Sequence, residues 1–112
     1  KALLSLLPQE EAERRLRAAA PLAHLTENTV SDVDELLVLL DRVREEGYAV
    51  DDEEYISGCR CVAVPLPFLS DGYRQMALSL TMPTSRTTAG WPLDIYDTLR
   101  ATVAELEATI RP

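Results

Sequence analysis

The sequence predicts an α+β domain in which helices flank an antiparallel sheet. Apolar residues recur at helical spacing in two long segments, at 32–46 and 93–110. Apolar and small residues alternate along residues 76–82, and a Ser-Asp-Gly turn signal separates this run from an earlier strand-like run. A chain of 112 residues holds one domain at most. We therefore expect one core, built from four helices and two strands.

The four helices are predicted at residues 2–7, 9–20, 32–46 and 93–110. The first begins as a helix already under way, and Pro8 fits the first turn of the second. Ser31 or Asp32 caps the third helix, and Gly47 ends it. The buried face of the third helix is predicted as Val33, Leu36, Leu37, Leu40 and Val43, and that of the fourth as Ile95, Leu99, Val103, Leu106 and Ile110.

The two strands are predicted at residues 59–66 and 73–82. The turn signal at residues 70–72 makes them an antiparallel hairpin. The acidic run at residues 51–54 is interpreted as a turn that precedes the first strand.

Charge and composition narrow the classes of protein. The net charge of −8 and the pI of about 4.5 argue against nucleic-acid binding by this segment, because phosphate contacts need clustered Lys and Arg. The apolar runs are far shorter than the roughly 20 residues of a membrane span, and no export signal is visible. Two cysteines one residue apart form no disulfide framework, so we expect a cytoplasmic protein. The chain opens on Lys1 inside a helix without a cap, so we expect a piece of a longer protein.

Several clusters of reactive side chains each have two interpretations. The acidic run could hold a cation or form a solvated turn. Cys59 and Cys61 face the same side of a strand and could begin a zinc site. Zinc would need further nitrogen or sulfur ligands, and the only histidine is His24. We therefore favour the interpretation that the two cysteines are small buried side chains, and we expect no metal and no cofactor. One histidine would have to serve every catalytic triad, and no nucleophile elbow or phosphate loop is present, so we expect no enzyme activity.

Ser79 and Thr81 lie on one face of the second predicted strand. Either this face is solvated, or the hydroxyls join Cys61 and an acidic side chain in a small polar cavity. Such a cavity would suit a small carboxylate or hydroxy acid. The sequence leaves both interpretations open.

The stretch at residues 47–65, GYAVDDEEYISGCRCVAVP, resembles the signature R-G-Y-A-x-D-x-E-E-x-x-x-G-x-R-C-I/V-A-x-P. This signature belongs to the effector-binding domain of IclR-type bacterial transcriptional regulators. Residues 1–7 are similar to the G-K-A-x-L-A helix of that family, residues 25–29 to its L-T-x-x-T loop, and residues 77–86 to its A-I/L-S-V/I-S-G-P-x-x-R segment. The resemblance therefore covers nearly the whole chain.

The resemblance implies a GAF-like α+β domain, incomplete at its N-terminus, from which the winged helix-turn-helix that binds DNA is absent. It implies a small organic acid as effector, a homodimer or homotetramer, and DNA contact only through the absent domain. The ligand-facing positions it implies are Asp51, Cys61, Ser79 and Thr81, and Cys59 is expected on the same pocket wall. A Gly-Ala pair that holds the carboxylate of the ligand is implied just before Lys1.

The sequence also departs from the family pattern. Thr81 replaces a serine, Met82 replaces a glycine, and the spacing from Cys61 to Ser79 is one residue longer than usual. Two other functions stay open. One is a domain that serves oligomerisation alone, and the other is an enzyme acting on small carboxylates with Cys61 as nucleophile.

Overall fold

In the computed structural model, which describes residues 1–110, α-helices flank a three-stranded antiparallel sheet. The α+β class predicted from the sequence is therefore confirmed. The helices are α1 (Ala2–Ser5), α2 (Gln9–Ala19), α3 (Val33–Glu46) and α4 (Leu93–Ile110), and the strands are β1 (Ala49–Asp52), β2 (Cys59–Pro65) and β3 (Ala77–Pro83). Short 3₁₀ turns at Pro67–Leu69 and Thr84–Arg86 follow β2 and β3.

The helix ends follow from local chemistry. Of the two candidate caps of α3, Asp32 is the one used, and its Oδ1 accepts from the Glu35 N–H at 3.0 Å. Gly47 ends α3 with φ of 89°, in the left-handed region. α2 stops at Ala19 because Ala20 precedes a proline and is extended, with ψ of 147°. The first predicted helix is shorter than expected and ends at Ser5.

The strand predictions were wrong in two places. Half of the acidic run is not a turn, because Asp51 and Asp52 belong to β1, which pairs with β2. The sequence pattern hid this strand because its last two residues are carboxylates. The last strand begins at Ala77 instead of Tyr73, whose side chain is fully exposed.

A loop of irregular structure therefore joins β2 to β3. Asp71 organises its tip, where Oδ1 accepts from the N–H groups of Tyr73 and Arg74, both at 2.8 Å. These backbone hydrogen bonds lower the pKa of the Asp71 carboxyl. The predicted turn signal at residues 70–72 thus lies within this loop, and the antiparallel pairing of β2 and β3 is confirmed.

The strand order β1-β2-β3 leaves two faces of different character. One face packs on α4 through Val62, Val64 and Leu99, with Ile95 and Val103 beside them. Ile110, predicted on the buried face of α4, is 46% exposed, because α4 packs on the sheet along its N-terminal turns. No helix within residues 1–110 combines the length and apolar character that crossing a bilayer requires.

The opposite face of the sheet meets α1 and α3 at one end only. Ala2, Val43 and Ala49 form the buried cluster there, with Ala63 and Ala77 packed against it. α2 and α3 pack on each other through Ala12, Leu16 and Leu40. Because these alanine side chains are small, α1 packs close to one end of this sheet face. The other end of the face is left open.

Candidate functional site

The five predicted site residues lie on one face of the sheet. In the ladder, Cys61 stands opposite Asp51 on one side and opposite Thr81 on the other. Cys59 lies two residues before Cys61 on β2, and Ser79 lies two residues before Thr81 on β3, so alternation puts both on the same face. The pairing thus builds a polar row, Asp51–Cys61–Thr81, with adjacent members about 4.5–5.5 Å apart at Cα.

A cavity of about 280 Å³ opens where α1 meets this face. Asp51 and Cys61 are both in its wall, and the other lining residues are Lys1, Ala2, Ala49, Val50, Glu54 and Ala63. Ser79 and Thr81 lie outside this wall, exposed on the outer strand β3, and Cys59 lies outside it too. The structure therefore brings together two of the five predicted residues in one cavity.

The acidic hairpin between β1 and β2 is tied by its own carboxylates. Asp51 Oδ1 accepts from the Glu54 N–H at 2.7 Å, and Glu54 Oε2 accepts from the Asp52 N–H at 3.2 Å. Glu53 Oε1 accepts from the Gly58 N–H at 2.7 Å across the turn. These bonds fix the carboxylates of Asp51 and Glu54 where β1 ends, at the rim of the cavity.

Lys1 is a cavity residue that the sequence reasoning missed. Its Nζ donates to the Val50 carbonyl at 2.8 Å and forms an ion pair with Glu54 Oε1. The two side chains are 19% and 18% exposed, so solvent screens this pair less than a surface pair. Glu54, which the sequence analysis placed in the turn, is thereby a second missed residue. The residue pattern held no signal for this pair, because a contact across 53 positions depends on the packing of α1.

The polar groups of the cavity wall are therefore one ammonium group, two carboxylates and one thiol, and three alanines line the rest of it together with Val50. Both cysteines are free thiols. Within residues 1–110, no group of three or more His, Cys, Asp or Glu side chains could hold a metal ion. These donors and acceptors suit a small polar organic molecule with hydrogen-bonding groups at both ends.

A second cavity, of about 520 Å³, lies between the start of α2 and the β2–β3 loop. Its lining includes Pro8, Glu11, Arg15 and Asp71. Hydrogen bonds from Arg14 and Arg15 lower the pKa of the Glu11 carboxyl to about 2. Glu11 forms ion pairs with Arg14 and Arg15 on the surface of α2, and none of the five predicted site residues lines this cavity.

The fold and the site define a class, a small α+β domain with a polar cavity on one sheet face. The family model described as bacterial transcriptional regulator IclR C-terminal matches residues 1–108. The chain belongs to this family, as its C-terminal, effector-binding domain.

Curated relatives support the same assignment. The chain is 38% identical over 86 residues to the HTH-type transcriptional regulator KdgR of Escherichia coli K12, which covers 77% of this chain and 32% of KdgR. It is 32% identical over 110 residues to the HTH-type transcriptional repressor AllR of Salmonella typhi, covering 98% of this chain and 40% of AllR. The chain thus spans less than half the length of these relatives, both of which are named as transcriptional regulators.

A solved structure matches over most of the chain. It is a double mutant of the PobR transcription factor inducer-binding domain from Acinetobacter, in complex with 3-hydroxybenzoic acid. The TM-score is 0.79 and the sequences are 31% identical, with 94% of this chain and 59% of that chain covered.

Proposed function

We propose that this domain senses a small organic acid for a bacterial transcriptional regulator and binds it in the cavity between α1 and the sheet. The observation that carries the proposal is the direct opposition of Asp51 and Cys61 in a cavity wall that also holds Lys1. Support comes from the PobR domain, whose structure was solved with 3-hydroxybenzoic acid.

The charges of the cavity suggest how such an acid would lie. The Lys1 ammonium has three N–H groups and uses two on Val50 and Glu54, which leaves one for the carboxylate of the ligand. Asp51 would repel that carboxylate, so it faces the other end of the ligand, where its second oxygen accepts from a hydroxyl. Cys61, which stands opposite Asp51 in the ladder, would contribute a weak donor. Ser79 and Thr81 would contact a ligand that extends outward along the sheet face.

Signal transfer in this proposal is a population shift. The acid binds one state of the domain better, the packing between copies of the domain changes, and DNA-binding domains elsewhere in the protein move. Location in the cytoplasm is part of the same proposal. A domain that serves oligomerisation alone would leave the cavity without a ligand.

The test is a calorimetric titration of the intact protein with a panel of small organic acids that includes 3-hydroxybenzoate. Asp51→Asn should weaken binding by about tenfold or more, because a half-buried acceptor loses its charge, and Cys61→Ala should weaken it by a few-fold, because a half-buried weak donor is lost. Asp97→Asn is the matched control, since Asp97 is exposed on α4 and pairs with Arg100. Equal affinity in all three variants and the wild type would remove the cavity from the ligand site, and binding of none of the acids would refute the proposed ligand class.

A further inference from the structure

Three side chains of the loop before α3 hold the backbone of the acidic hairpin. Thr26 Oγ1 donates to the Glu53 carbonyl at 2.6 Å, and Asn28 Nδ2 donates to the Asp52 carbonyl at 3.0 Å. Thr29 Oγ1 donates to the Glu54 carbonyl. We call Thr26, Asn28 and Thr29 the polar clamp. It contacts three consecutive carbonyls of the hairpin that borders the cavity.

These carbonyls need partners because the hairpin is irregular. Glu53 has φ of 58°, an unusual conformation for a residue with a side chain. Its N–H still donates to the Cys59 carbonyl at 3.0 Å, but the Cys59 N–H donates to Ile56 instead of returning to Glu53. The Glu53 carbonyl therefore lies outside the ladder, and Thr26 supplies its donor.

The loop is organised so that its hydroxyl protons point at the hairpin. Thr29 Oγ1 accepts from the N–H groups of Leu25 and Thr26, at 3.1 and 2.8 Å. Thr26 Oγ1 accepts from the Asn28 N–H at 3.1 Å. Because each oxygen already accepts from the backbone of its own loop, each hydroxyl proton is free to bond a hairpin carbonyl.

The clamped residues connect directly to the cavity. The Glu54 N–H donates to Asp51 Oδ1 at 2.7 Å, and the Glu54 side chain pairs with Lys1. A shift of the Glu54 backbone would therefore move the Asp51 carboxylate and release the Lys1 ammonium together.

We propose that Thr26, Asn28 and Thr29 are positioning residues that set the orientation of the Asp51 and Glu54 carboxylates toward the cavity. The proposal rests on the proposed function only in treating this cavity as the ligand site. None of the three side chains lines the cavity itself. Their effect is carried by the hairpin backbone.

The test compares two substitutions at one position. Thr26→Val keeps the shape of the side chain and removes the hydroxyl, whereas Thr26→Ser keeps the hydroxyl. Thr102→Val is the matched control, because Thr102 is at an exposed position of α4 and its hydroxyl donates to the Thr98 carbonyl one turn back, at 3.0 Å. Amide hydrogen exchange is read residue by residue by NMR on the intact protein without ligand.

Thr26→Val should speed exchange at the Glu53 and Glu54 amides by about tenfold or more, because a carbonyl loses its partner. Thr26→Ser should restore the wild-type rates, and the buried Val62 amide should exchange at the same rate in both variants. Asn28→Ala, at an exposed position, should show the same local effect more weakly and serves if Thr26→Val does not fold.

Two results would overturn the proposal. One is wild-type exchange at Glu53 and Glu54 in Thr26→Val and in Asn28→Ala. The other is an equal increase at Val62, which would make the clamp a contributor to global stability and not a positioning device. Since the measurement needs no ligand, it decides this proposal even if every acid fails to bind, a result that would count against the proposed function alone.

Discussion

Gly47 and Gly58 bracket the acidic hairpin, and replacing each by alanine should have different consequences. Their φ angles are nearly equal, 89° and 87°, so the left-handed backbone penalises a side chain equally at both. Their surroundings differ. A Cβ at Gly58 would meet nothing within 4 Å, whereas one at Gly47 would lie 3.0 Å from Tyr96 Oη.

The loss of stability at each glycine follows from the cost of the left-handed backbone and from the contact with Tyr96. The left-handed conformation costs alanine about 1–2 kcal/mol, of which about 0.4–1 kcal/mol is offset because alanine restricts the unfolded chain. Gly58→Ala should therefore lower the free energy of unfolding by about 0–1.6 kcal/mol. At Gly47 the Tyr96 ring must also move, and it packs on Tyr48 at a centroid distance of 4.4 Å. Disturbing such an aromatic pair adds about 0.5–1.5 kcal/mol to the loss.

The assay is urea denaturation of the wild type, of Gly47→Ala, Gly58→Ala and Tyr96→Phe, and of the double variant Gly47→Ala/Tyr96→Phe. The free energies of unfolding are comparable if the m-values are equal. Tyr96→Phe removes the clashing oxygen and leaves Cζ at 3.8 Å, an ordinary contact distance. In that background Gly47→Ala should cost no more than Gly58→Ala, so the pair should show coupling in a double-mutant cycle. Equal losses for the two alanine variants in the wild-type background would refute this reasoning.

Three further predictions concern the core, a cation–π contact and an acidic side chain. Leu40→Ala should lower the free energy of unfolding by about 2–5 kcal/mol, since Leu40 is fully buried, whereas Val38→Ala, 61% exposed on the same helix, should change it by less than about 0.5 kcal/mol; equal effects would contradict the packing of α3. Arg60→Met should lower the free energy of unfolding by about 1–2 kcal/mol, because the Arg60 guanidinium lies 4.6 Å from the Trp91 ring centroid and pairs with Asp52 at 2.9 Å. Urea denaturation followed by the fluorescence of the single tryptophan measures the loss, and an unchanged denaturation midpoint would contradict these contacts. NMR titration of Glu11 should give a pKa near the value of about 2, below the ordinary 4.5, so its contribution to stability is complete above pH 4.5 and is lost as the pH falls toward 2; a midpoint at the ordinary value would contradict the arginine contacts.

The sequence located the helices well because their signals are local. The apolar spacing of α3 and α4, the cap Asp32 and the stop Gly47 are all set within a few residues. β1 was missed because its four residues end in two carboxylates, and only pairing with β2 makes them a strand. The start of β3 was placed early because the prediction ran the strand back to the turn signal at residues 70–72, whereas pairing with β2 begins only at Ala77.

Some residues of the candidate site could be predicted from the sequence, and others could not. Asp51 and Cys61 came from the family resemblance, and the register now places them opposite each other in a cavity wall. Lys1 and Glu54 reach the cavity through tertiary contacts that no local pattern encodes. Ser79 was placed on the correct face by strand alternation, but strand order, which the sequence did not specify, leaves it exposed at the sheet edge.

NMR mapping of a titration shows whether the cavity between α1 and the sheet binds the effector. The intact protein is labelled with ¹⁵N and titrated with 3-hydroxybenzoate, the acid bound by the PobR domain. If the acid binds in the 280 Å³ cavity, saturable chemical-shift changes should be concentrated at Asp51, Cys61 and Ala63. Shifts concentrated at Ser70 and the rest of the second cavity, or no shifts at all, would contradict it.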